Sequence, residues 1–143
     1  MARTIIIGKV DDETRRLVEI TKQSFFEGIK FAKVGYRISD VSHAIGSFVE
    51  KNGFSVVKEF QGHGVGRTLH EDPAIPNYGN PGKGIRLEPG MTLAIEPMVN
   101  MGKFDILELE DGWTIVTKDG KNSSHYENTI LITEKEPEVL TII

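Results

Sequence analysis

The feature that most constrains the fold is a change of period at Gly53. Before it, apolar residues recur at helical spacing. After it, they come in short β-rich runs separated by Gly, Pro, Asn and Asp, and helical spacing does not return. Asp11 offers an N-cap, with Asp12 and Glu13 in the first turn, where acids complement the helix dipole. Leu17, Thr21, Phe25, Gly28 and Ala32 share one face with Val18 and Ile29 beside it, which predicts a long helix from about Asp12 to Ala32, ended by Gly35. Ser39 is the next N-cap candidate. Val41, Ala44, Ile45, Phe48 and Val49 then form an amphipathic stripe that Gly53 closes. His43 lies off that stripe and reads as a solvated helix residue.

Strands are expected around these helices. Arg3 to Val10, with the β-branched run Ile5-Ile6-Ile7, reads as a buried strand that starts almost at Met1. Phe54 to Phe60, Met91 to Val99, Ser123 to Ile132 and a short last strand over Val139 to Ile143 follow. Phe104 to Leu109 and Trp113 to Lys118 flank Glu110-Asp111-Gly112 as a hairpin. Pro73 to Pro89, rich in Pro and Gly, reads as a long irregular loop of the kind that carries function. The order gives one α+β domain over residues 1–143, with two helices on one face of a mainly antiparallel sheet.

Composition narrows the chemistry. The net charge of −4 gives no basic footprint, so nucleic acid is not an expected partner. There is no cysteine, so a metal site would have to use His, Asp and Glu. No apolar run approaches the roughly 18 residues of a membrane span, and no signal peptide precedes Thr4. A cytoplasmic protein is expected.

Gly62-His63-Gly64-Val65-Gly66, followed by His70-Glu71-Asp72-Pro73, is the stretch with most chemistry in it. Its glycines permit positive φ and close backbone approach. Two readings stand: a glycine-rich surface loop with two solvated histidines, or part of a site. Glu96, between Ile95 and Pro97, and Glu127, just before Thr129 to Ile132, are carboxylates set in apolar strands. Such groups are costly unless paired, hydrogen-bonded or metal-bound. The alternative for each is an edge-strand acid facing water, which Pro97 favours. With His63 they make a set of oxygen and imidazole donors suited to Mn, Fe, Co, Zn or Mg.

Taken together, Gln61 to Arg67 with Leu69 to Pro73, Leu87 to Met98, Asp111 to Thr114 and Tyr126 to Thr129 resemble type I methionine aminopeptidase. The resemblance implies half of a pita-bread fold, the C-terminal half, in a shortened chain. It implies removal of the N-terminal methionine from nascent peptides by hydrolysis with a metal-activated water and one or two divalent ions. His63, Glu96 and Glu127 would be metal ligands, and Glu96 also the general base. His70 would be catalytic and contact the substrate backbone. Leu69 and Trp113 would line the methionine pocket. Two aspartates and another histidine would come from the N-terminal half, so weak or absent metal binding and no activity are expected of this chain alone. A homodimer in which a second copy replaces the missing half is expected. The competing readings are a non-catalytic, self-associating half-domain and a pseudo-enzyme that binds peptides.

Overall fold

The computed structural model describes residues 1–142. Its helices are α1 (Asp12–Ile29) and α2 (Ile38–Lys51). Its strands are β1 (Ala2–Arg3), β2 (Ser55–Val56), β3 (Gly62–Gly64), β4 (Glu71–Ile75), β5 (Thr92–Ile95), β6 (Met98–Asn100), β7 (Ile106–Glu108), β8 (Ile115–Thr117), β9 (Ser123–Leu131) and β10 (Glu138–Val139).

The two helices form as their periodicity predicts, with shifted ends. Asp11 caps α1, its Oδ1 accepting from the Thr14 N–H at 2.7 Å. The helix stops at Ile29 rather than Ala32, because Phe31 and Ala32 donate to Gly28 and Ile29, three residues back, and tighten the last turn. Ser39 does not cap α2. Its hydroxyl is exchanged with the backbone of Lys83, at 2.8 and 2.6 Å, while Asp40 accepts from the Arg37 N–H at 2.7 Å and closes the first turn. His43 is exposed, as expected, and its Nδ1 lies 3.0 Å from the Gly79 carbonyl.

The larger sheet runs β2-β6-β9-β5-β3-β4, with β1 and β10 also paired to β9. All these pairings are antiparallel. The hairpin β7-β8 forms a separate two-stranded sheet, at the place its turn residues predict. Phe25, Val41 and Ile45 from the helices pack with Leu93, Ile95, Ile130 and Ile132 from the sheet, all at 1% exposure or less. Burying such side chains is the dominant stabilising term.

Several expected strands are corrected. Only Ala2 and Arg3 pair with β9 at the start; Ile5 and Ile7 are 77% and 87% exposed, so the isoleucine run is not a buried strand. Of Phe54 to Phe60, only Ser55 and Val56 pair. The loop from Pro73 begins inside β4, an edge strand where a proline's missing N–H costs no ladder bond. The last strand is Glu138–Val139; Ile143, the end of the expected one, lies outside the described residues.

Met91 to Val99 divides at Glu96-Pro97 into β5 and β6, both pairing with β9 in one continuous register. Their other neighbours differ: β3 lies beside β5, and β2 beside β6. Pro97, which has no N–H to give, sits where the sheet forks between those neighbours. It is buried and interior, not an edge position that would expose Glu96.

Candidate metal centre

β9 alternates strictly. Ser124, Tyr126, Asn128 and Ile130 are buried, whereas His125, Glu127, Thr129 and Leu131 are only partly buried. His125 and Glu127 therefore share one face, two residues apart. Register extends that face. His63 pairs with Ala94, Ala94 with Thr129, and Met98 with His125. Continuing the β5-β9 register past Ile95↔Asn128 sets Glu96 opposite Glu127. The antiparallel ladder thus brings His63, Glu96, His125 and Glu127 to the face opposite the apolar core.

Glu96 is the hub. Its Oε1 lies 3.5 Å from His63 Nε2 and its Oε2 lies 3.3 Å from His125 Nε2. Glu96, His125 and Glu127 each offer a ligand atom within 4.8 Å of the others. Among the described residues this is the one compact group of three; His63 reaches Glu96 but is not part of it. The side chains of His63, Glu96 and Glu127 are 13%, 14% and 18% exposed, so none is an acid or imidazole simply facing water.

Backbone contacts hold these side chains in place. The Nδ1 of His63 lies 2.8 Å from the Gly64 carbonyl, which can only accept, so Nδ1 donates there and Nε2 faces Glu96. Buried Asn77 donates to the Glu96 carbonyl at 3.1 Å, beside the strand break. Thr4 Oγ1 accepts from the His125 N–H at 2.9 Å and lies 3.1 Å from its carbonyl. Arg3 donates to the Glu127 carbonyl and to Asn128 Oδ1, and stacks 4.1 Å from the Tyr126 ring. The Met1 amino group lies 3.6 Å from Glu127 Oε1.

The glycines beside His63 are needed for close approach alone. None of Gly62, Gly64 and Gly66 has a positive φ. A Cβ on Gly62 would overlap the Ala94 carbonyl, and one on Gly64 the Asp72 carbonyl. His63 is therefore held on a strand pressed against both neighbours. The histidine that follows is exposed: His70 packs against His63 with ring centroids 4.1 Å apart and the ring planes tilted by 54°. Leu69 and Trp113 are 71% and 87% exposed.

Sequence reasoning missed His125. The available signal was its position two residues before Glu127 in a strand, which puts both on one face. The donor set suits a divalent cation. Two carboxylates face each other across paired strands, and like charges so close are costly without a cation or proton between them. The His125 Nε2 is buried, and Glu96 at 3.3 Å is not aligned to bond it, so it has no hydrogen-bond partner.

Comparison with known proteins agrees with this architecture. The family model described as Metallopeptidase family M24 matches residues 1–134. A methionine aminopeptidase of Clostridium perfringens is 55% identical over 142 residues, which is 99% of this chain and 57% of that protein. The crystal structure of a methionine aminopeptidase from Thermotoga maritima superposes with a TM-score of 0.96 at 52% identity, covering 99% of this chain and 57% of that one. A prolidase from Pyrococcus horikoshii, 24% identical, shares the pita-bread fold with a TM-score of 0.72 over 98% of this chain and 35% of its own. The chain spans a little over half the length of the methionine aminopeptidases it matches.

Proposed function

The chain belongs to metallopeptidase family M24, and on that premise we propose that the open face of its sheet supplies His63, Glu96 and Glu127 to a divalent-metal centre that removes N-terminal methionine from peptides. The observation that carries this reading is the meeting of two carboxylates and imidazole nitrogens, from three strands, on the face away from the core. Co, Mn, Fe, Zn or Mg, as one or two ions, would suit such donors. A bound ion supplies Lewis acidity, polarising a peptide carbonyl and bringing the pKa of water toward neutrality. Glu96, whose oxygens reach toward both imidazoles, serves as general base and holds the proton taken from the attacking water. His70, exposed beside His63, offers a ring N–H to the substrate backbone or to the developing oxyanion. Leu69 and Trp113 offer exposed apolar surface to the methionine side chain.

The resemblance assigns two aspartates and a further histidine to an N-terminal half that these 143 residues do not include. Tested alone, this chain is expected to bind metal weakly and to be inactive or very weak. Hydrolysis of a Met-Ala-Ser peptide with added Co(II) or Mn(II) tests this; robust turnover by the chain alone would overturn it.

Exposed Ile5, Ile7, Leu69 and Trp113 favour a second property, self-association of a single folded domain over residues 1–143 into a homodimer. Light scattering of a clean monomer at tens of micromolar would defeat it. A peptide-binding pseudo-enzyme ranks lower, because His63, His70, Glu96 and Glu127 are all retained. No helix among the described residues is long and apolar enough to cross a membrane, and the cytoplasm is the proposed location.

A further inference from the structure

We infer that Glu71 is a positioning residue whose carboxylate holds the β3-β4 connection in the shape that sets His70 against His63, and that Gly66 is a glycine so that this carboxylate can enter. The inference deepens the proposed function and rests on the roles proposed there for Leu69 and His70. The connection, residues 65–70, has no regular structure, and every residue in it from Gly66 to His70 is exposed. Burial therefore does not hold the His70 ring where it lies, 4.1 Å from that of His63. Polar contacts take over that task. At the β3 end, the Val65 N–H donates to the Thr92 carbonyl at 2.9 Å, and the Thr92 hydroxyl donates to the Val65 carbonyl. At the β4 end, Glu71 Oε1 accepts from the Thr68 N–H at 2.8 Å, with the Thr68 hydroxyl 3.2 Å away. That hydroxyl also lies 3.0 Å from the His70 carbonyl, and the Gly66 N–H donates to the Thr68 carbonyl at 3.2 Å. Thr68 thus joins Gly66, His70 and Glu71, and the carboxylate ties down the middle of the connection. A backbone N–H donating to an ionised carboxylate makes one of the stronger hydrogen bonds.

Gly66 is the third glycine of the histidine-bearing run, and its φ is not positive, so conformation does not require it. A Cβ there would overlap Glu71 Oε2. The flexible carboxylate would swing aside at little cost to the fold, and the Thr68 N–H would lose its acceptor. Among the described residues the Glu71 carboxylate bonds only Thr68, in its own connection, while the β3-β4 ladder is made by backbone groups. Removing the carboxylate therefore loosens the connection and leaves the sheet intact.

The test is the nuclear Overhauser effect between the His63 and His70 ring protons, measured on the whole chain. It should be present in the wild type, absent in Glu71→Ala and Gly66→Ala, and present in Glu71→Gln, whose amide oxygen still accepts from Thr68. The Tm should stay within about 3 °C in all three variants, while the Thr68 amide exchanges with solvent about 10-fold faster in Glu71→Ala. The double variant should be no looser than Glu71→Ala, because both changes remove one contact. Absence of the ring contact from the wild type, or its persistence in Glu71→Ala, would overturn the inference. If Glu71→Ala does not fold, the wild-type chain still decides: a Thr68 amide slowed about 10-fold or more upholds the inference, and one exchanging at the open-chain rate overturns it. The readout needs neither metal nor turnover, so failure of the proposed function shows in the Co(II) peptide assay and failure of this inference in the ring contact.

Discussion

The two faces of one sheet are built from alternate residues of the same strands and have opposite tasks. On the helix side, Leu93, Ile95 and Ile130 are sealed against Phe25, Val41 and Ile45 at 1% exposure or less. On the other side, Ala94, Glu96, Glu127 and Thr129 come from those same strands, and the face ends in half-buried ionisable groups. One residue of slip would exchange them, placing carboxylates in the core and isoleucines in the site. The difference teaches that the apolar face sets the register, and the register in turn sets the geometry of the site.

The contrast can be broken most directly by mutation on each side. Phe25→Ala or Ile130→Ala should cost about 2–5 kcal/mol in urea denaturation, the range for emptying a packed core position. Glu127→Gln should leave stability within about 1 kcal/mol, or raise it, because it removes one of two facing like charges. Equal losses from Ile130→Ala and Glu127→Gln would end the division of labour.

Metal should affect only the ionisable face. Mn(II) at about 100 times its Kd should add about 2.7 kcal/mol to the wild-type chain, with EDTA reversing it. Glu96→Gln should abolish that gain without lowering the metal-free Tm. Gly62→Ala tests the link between the faces. Its Cβ would press on the Ala94 carbonyl, so a loss of about 1–3 kcal/mol is expected, together with weaker metal binding as β3 shifts.

The smallest effect lies in the separate two-stranded sheet, at the β7-β8 turn. The Asp111 carboxyl is held below its ordinary pKa of 3.8 by the Thr114 hydroxyl and by the N–H groups of Thr114 and Trp113. With the folded pKa depressed, its contribution is complete above about 3.8 and is lost as pH falls through the lower folded value. Asp111→Asn should flatten that acid limb slightly. Trp113 is the sole tryptophan, so its fluorescence reports the turn.

Much of this was legible in the sequence. The helical faces around Phe25 and Ile45 and the strand that carries Glu127 depend on local sequence, and they form where that sequence puts them. His63 and Glu96 could be singled out because a glycine-flanked imidazole and a carboxylate in an apolar strand are each out of keeping with their neighbours. His125 was not, because its role depends on which strand lies beside β9 and in what register. Ile5 to Ile7 misled for the converse reason: β-propensity describes fitness for a strand, and only Ala2 and Arg3 find one to pair with. The fork at Pro97 was hidden because it comes from a change of neighbours, not from the strand's own residues.

The central claim is that the face opposite the helices is a metal centre. An anomalous-difference map from crystals of this chain soaked in Mn(II) tests it most directly. The account predicts a peak on that face with carboxylate oxygens of Glu96 and Glu127 about 2.2 Å away. A map without a peak there, in crystals where Glu96 and Glu127 are ordered, would contradict it.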